Sequence, residues 1–139
     1  MPKDSISKPY DKKGMERLVK ATFFSFQGIV STFKCEEAFR LEFIAATFLF
    51  PIALLLPIGV TEKVALISSL FLILIVEILN SAIEWTINYI STEIHPIAKK
   101  VKDMGSAAVF LSLCNALFVW TLLIKSNWHS ISDRLTSIF

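Results

Sequence analysis

From Met15 the apolar positions Leu18, Val19, Phe23, Phe26, Ile29, Val30 and Phe33 recur at three- and four-residue intervals, with Glu16, Arg17, Lys20, Gln27 and Ser31 between them. That spacing predicts an amphipathic helix over about 15–33, and its basic, Phe-rich character suits the headgroup layer of a bilayer better than its interior. Beyond it the alternation stops and continuous apolar runs begin. Phe43 to Val60 is interrupted by Pro51 and Pro57, Val64 to Trp85 is longer, and Met104 to Ile124 carries no charge. Each is long enough to cross a hydrocarbon core as a helix. The predicted architecture is therefore an all-α membrane protein with a surface helix and three spans, at about 40–60, 64–88 and 103–125. Residues 1–13 read as a mobile tail and 14–139 as one membrane domain.

The second run is a poor anchor. Glu77 and Glu84 each cost roughly 2.5 to 3.5 kcal/mol near a span centre, against roughly 0.3 to 0.6 returned by each Leu, Ile, Val or Phe, so the balance is close to zero. At about 100° per residue, Glu77, Asn80, Ser81, Glu84 and Asn88 fall on one stripe. Ser and Asn commonly join membrane helices, and Ser81 and Asn88 are read that way. A pair of acids is too costly for that purpose alone and marks a functional site.

Composition supports the membrane reading: 54% of the 139 residues are hydrophobic, 19% are charged, and mean hydropathy is +0.61. A net charge of +2 gives no footprint for nucleic acid. The distribution of charge says more. Eight basic residues from Lys3 to Arg40 precede the first span and Lys99, Lys100 and Lys102 lie between the second and third, while only Lys63, Lys125 and Arg134 fall on the other side. By the positive-inside rule the N-terminus is cytoplasmic and the C-terminus outside. No short apolar stretch with a small-residue cleavage site lies near the start, so a removable signal peptide is not expected. Cys35 and Cys114 form neither a disulfide framework nor a zinc site and read as packing residues.

Seven residues separate Glu77 from Glu84, so the carboxylates differ in depth by about 10 Å and cannot readily share one ion. Glu84, nearer the cytoplasm, is a candidate ligand for a hard cation, with Glu36 in the charged collar Cys35 to Glu42 as a second oxygen donor. Glu77 is the candidate base, because a partly desolvated carboxylate takes a proton more readily than a hydrated one. Asn80, one turn on, could orient it or donate to a substrate. Lys102 could balance phosphate charge. Asp103 reads equally as a ligand or as the N-cap of the third span, and His95 as a nucleotide contact or plain surface. The four glycines are too dispersed for a phosphate-binding backbone loop, so any phosphate site must use side chains and metal.

Glu77-Ile-Leu-Asn-Ser-Ala-Ile-Glu84, then His95 and Ala98-Lys-Lys-Val-Lys-Asp-Met-Gly-Ser-Ala-Ala108, closely resembles the prokaryotic integral-membrane diacylglycerol kinases, and Glu36-x-Ala-Phe-Arg-x-Glu42 and the Arg17 to Lys20 helix are similar too. The resemblance runs from about Glu16 to Ile124. It implies a homotrimer in the bacterial inner membrane that transfers the γ-phosphate of ATP, with Mg²⁺, to diacylglycerol. It also implies Glu77 as base with Asn80 beside it, and Glu36 and Glu84 as metal carboxylates. Arg17, Glu93, His95, Lys102 and Asp103 match nucleotide contacts. Arg17, Ala38, Phe39, Arg40, Glu42 and Ser106 match the lipid pocket. Phe26-Gln27 stands where Trp-Lys is common and Asn88-Tyr89 where Asp-Arg is, departures that bear on local contacts. Asn80-Ser81 favours the diacylglycerol branch over undecaprenol kinases. From a different class, a proton-coupled transporter with Glu77 and Glu84 as a relay would explain the acids but leave Glu36, Lys102 and the surface helix without a task.

Overall fold

The computed structural model describes residues 14–90 and 95–136. Five helices follow one another: α1 (Met15–Cys35), α2 (Glu37–Leu55), α3 (Val60–Ile90), α4 (Pro96–Ser126) and α5 (Trp128–Thr136). The expected tail and Glu93 lie outside the described residues. Helices α2, α3 and α4 each have the length and apolar composition of a membrane span. Helix α3 is central, with α2 and α4 packed along it and α1 touching α2 and α3.

Local chemistry sets each helix end. Gly14 enters α1 at φ 81°, in the left-handed region that glycine takes without penalty. Between α1 and α2 the chain breaks at one residue, Glu36, whose backbone is extended (φ −109°, ψ 119°) while its N–H still donates to Thr32 O at 2.8 Å. The Arg40 guanidinium donates to the carbonyls of Lys34 (2.9 Å) and Phe33 (3.3 Å). Those carbonyls end α1 and have no helical partner of their own. Phe33 stacks edge-on to Phe43 at 5.5 Å and Phe39 fills the knee at 1% exposure. At the opposite end, Lys63 Nζ donates to Leu54 O (2.6 Å) and Gly59 N–H to Glu62 Oε2 (2.8 Å). Asn127, the C-cap of α4, donates to Glu62 Oε1 at 2.9 Å, so one carboxylate ties the start of α3 to the end of α4.

The helices differ from the expected spans in informative ways. Pro51 lies inside α2 without ending it, and only Pro57 falls in the turn. Helix α4 begins at Pro96, not near residue 103, because Pro suits the first helical turn and the Nδ1 of His95 accepts the Ile97 N–H at 3.2 Å. Asp103 is thus well inside the helix and caps nothing. At 31 residues, α3 and α4 are each about 46 Å long, against about 30 Å of hydrocarbon. Their ends must stand in the headgroup layer or beyond. The short α5 was not anticipated, although its apolar residues Trp128, Ile131 and Leu135 recur at three- and four-residue intervals in the polar stretch that follows Ser126. Cys35 and Cys114 are free and exposed, contrary to the packing role expected of them.

The core of a single subunit is thin: Phe39, Ala53, Leu66, Leu70, Ile73, Ala116 and Ile131 are its buried apolar members. Large apolar side chains on every spanning helix are exposed, as lipid or neighbouring helices permit but water would not.

Candidate active site

The polar seam of α3 faces inward. Glu77 is 4% exposed and Ser81 6%, on a helix whose flanking Ile75, Leu79 and Ile83 are exposed. The remaining acids lie within electrostatic reach: the charges of Glu84 and Glu36 both act on Glu77, and that of Glu77 acts on Glu42. Four carboxylates from α2, α3 and the α1–α2 knee therefore share one field. Such a cluster repels itself until a cation or a proton enters.

Helix α4 closes over the seam at Gly105. A Cβ at that position would lie 2.2 Å from Asn80 Oδ1, so any larger residue there would push the Asn80 amide out of its place. Asn80 Oδ1 is itself buried with no hydrogen-bond partner within the subunit, as is Glu42 Oε2. Buried polar atoms are nearly always partnered, so each of these two is suited to a substrate, a water or another subunit. Glu42 also borders a cavity of about 360 Å³ running between α2, α3 and α4 past Leu49, Leu70 and Ile73 to Trp120, whose buried Nε1 is unpartnered too.

Toward the end of α3 that holds Glu84, the contacts become charged. Lys102 Nζ donates to Asn88 Oδ1 at 2.7 Å, joining α4 to α3 through a neutral acceptor that leaves the ammonium charge uncompensated by that contact. Lys99 pairs with Asp103 at 2.9 Å, one turn apart and exposed. The Trp85 indole N–H donates to Glu36 Oε1. Glu84 and Lys102 are half-buried, His95 and Ser106 exposed, and Arg17 exposed on α1. Ala38 is exposed at the knee, where Phe39 and Arg40 are occupied in holding α1 to α2. Among the described residues no three acidic, His or Cys side chains converge on a common metal position.

Six of the sequence-derived candidates are thus brought to α3 and its surroundings: Glu36, Glu42, Glu77, Asn80, Glu84 and Lys102. Among the described residues, Arg17, His95 and Ser106 make no hydrogen bond or ion pair with that group. Trp85 and Gly105 were not singled out as members of the site. An interfacial Trp next to an acid was the available signal for the first; nothing in the sequence says which residue Gly105 meets.

A helical bundle with three spanning-length helices and a buried carboxylate seam defines a multi-pass membrane protein with a polar site inside it. Residues 23–124 match the family model for prokaryotic diacylglycerol kinases. The chain is 40% identical over 111 residues to a diacylglycerol kinase of Haemophilus influenzae, covering 80% of this chain and 94% of that one. It is 40% identical over 115 residues to a diacylglycerol kinase of Escherichia coli, covering 83% and 94%, and 40% over 111 residues to one of Pseudomonas aeruginosa, covering 80% and 90%. The chain belongs to the prokaryotic diacylglycerol kinase family.

Proposed function

We propose that this protein is a lipid kinase of the membrane that transfers the γ-phosphate of ATP to the free hydroxyl of diacylglycerol, giving phosphatidic acid and ADP. The observation that carries the site assignment is the buried Glu77, framed by the charges of Glu36 and Glu84 in a chain of this family. Glu77 removes the hydroxyl proton. The lipid oxygen bonds to the γ-phosphorus as the bond to the bridging oxygen breaks, and ADP leaves with that electron pair. Asn80, one turn from Glu77 and unpartnered at Oδ1, orients the base or the hydroxyl. Lys102 balances charge on the transferring group.

Glu36 and Glu84 are the carboxylates that would hold Mg²⁺. Mg²⁺ is usually bound by one or two carboxylates, nucleotide phosphates and water rather than by an all-protein cage, so a pair of acids fits it. When bound, the ion neutralises the β- and γ-phosphate oxygens. His95, Asp103, Arg17 and Glu93 complete the nucleotide side. Ala38, Phe39, Arg40, Glu42 and Ser106 form the lipid side, where Phe39 and Arg40 serve by holding the knee in shape.

Helix α1, with Leu18, Val19, Phe23 and Phe26 exposed, lies along the cytoplasmic surface of the bacterial inner membrane and admits lipid to the site. The N-terminus is cytoplasmic and the C-terminus outside, and residues 14–139 act as one domain. The unpartnered Asn80, Glu42 and Trp120 atoms and the thin core favour a homotrimer whose neighbours complete each site.

The test is transfer of label from γ-labelled ATP into the organic phase, with diacylglycerol and undecaprenol compared side by side. Diacylglycerol is the acceptor expected to take label. Glu77→Gln abolishes transfer while the assembly persists; unchanged turnover in that variant would remove the proposed base.

A further inference from the structure

Trp85 follows Glu84 on α3 and is 59% exposed. A Trp at the end of a membrane span ordinarily serves as an interfacial anchor, its N–H directed at water or headgroups. Here the N–H is directed instead at Glu36 Oε1, across a sequence separation of 49 residues. Glu36 is the single extended residue between α1 and α2, and its backbone is pinned on both sides, N–H to Thr32 O and carbonyl from Arg40 N–H. Its side chain takes the Trp85 N–H at Oε1 and has Oε2 remaining. The two groups also line one groove of about 320 Å³ with Ser31, Thr32 and Ser81.

We propose that Trp85 is a positioning residue for the nucleotide end of the site: its indole N–H holds the Glu36 carboxylate against α3, the helix of Glu84, leaving Glu36 Oε2 for a divalent cation carried by the nucleotide. This rests on the reading of Glu36 as a cation ligand. The chemistry of the pair favours it. Indole is a donor only, so it can fix a carboxylate without competing for a cation. A neutral donor also leaves the carboxylate's charge intact, where an Arg or Lys in the same place would cancel it. The hydrogen bond to a charged acceptor is of the stronger kind. Trp85 therefore couples the α1–α2 knee, which bears Glu36, to the helix that bears both Glu77 and Glu84.

The experiment measures Mn²⁺ binding by electron paramagnetic resonance in the full-length protein in lipid nanodiscs, with a non-hydrolysable ATP analogue. Trp85→Phe keeps an aromatic ring at the interface and removes only the N–H. Its affinity for Mn²⁺ falls about tenfold, the loss expected for one charge-assisted hydrogen bond, while the KM for diacylglycerol stays unchanged. In a Trp120→Phe/Trp128→Phe protein, which retains Trp85 alone, paramagnetic Mn²⁺ quenches the remaining emission, and Glu36→Gln removes the quenching. Wild-type Mn²⁺ affinity in Trp85→Phe, with affinity lost in Glu36→Gln, overturns the role of Trp85 alone. Wild-type affinity in Glu36→Gln overturns the reading of Glu36 and the inference with it.

Discussion

Gly105→Ala tests the closure of α4 over the site with a single methyl group. The added Cβ would sit 2.2 Å from Asn80 Oδ1 and 3.3 Å from its Cγ. Ordinary contact lies near ~3.5 Å, so the overlap with the oxygen is about 1 Å and cannot be absorbed by small shifts. The clashing atom is the end of a side chain, however, and Asn80 can turn away. An off-rotamer side chain costs about 0.5–1.5 kcal/mol, and Ala in place of Gly within a helix returns roughly 0.8–1.0 kcal/mol. Stability should therefore change by less than about 1 kcal/mol, because the two effects offset each other. Activity should not be spared. Asn80 lies one turn from Glu77, and a 1 Å displacement of a positioning group can cost on the order of 10²-fold; a fall of at least about tenfold in kcat is expected. The assay pairs label transfer to diacylglycerol with reversible unfolding in mixed micelles, in a cycle with Asn80→Ala. In the Asn80→Ala background the added methyl has nothing to strike, so Gly105→Ala there should stabilise the protein and leave the residual rate unchanged. Wild-type kcat in Gly105→Ala, or the same stability change in both backgrounds, would refute the reasoning.

Three further outcomes follow from other contacts. Lys102→Met removes the donor to Asn88 and the charge proposed to balance the phosphates; the KM for ATP should rise about tenfold, a charged hydrogen bond's worth, and steady-state kinetics at varied ATP read it directly, with an unchanged KM counting against the assignment. Asn127→Ala cuts the tie between Glu62 and the end of α4 and should lower the unfolding midpoint slightly with kcat unaltered, since the tie is at the end of α3 opposite Glu84; a lowered kcat would count against this separation. Chelation should stop transfer, and Mg²⁺ should restore it better than Ca²⁺, whose longer bonds and larger coordination number suit a two-carboxylate site less well; full activity in excess chelator would exclude Glu36 and Glu84 as metal carboxylates.

Periodicity and hydropathy are local properties, and they were enough to find the helical class, three spanning-length segments and the stripe from Glu77 to Asn88, because a helix displays its sequence at a fixed angle per residue. The cost of acids in hydrocarbon was enough to mark that stripe as a site. What local spacing could not supply was the identity of the facing atoms. Asp103 reads equally as a ligand or a cap in the sequence, and the start of α4 at Pro96 with His95 as its cap removes the second reading, leaving Asp103 to pair with Lys99. That Gly105 meets Asn80, that Lys102 reaches Asn88 and that Trp85 donates to Glu36 depends on how α1, α3 and α4 are rotated and how deeply each is set. Rotation and depth are fixed by side-chain packing between helices distant in sequence, and each helix taken alone is compatible with many such settings.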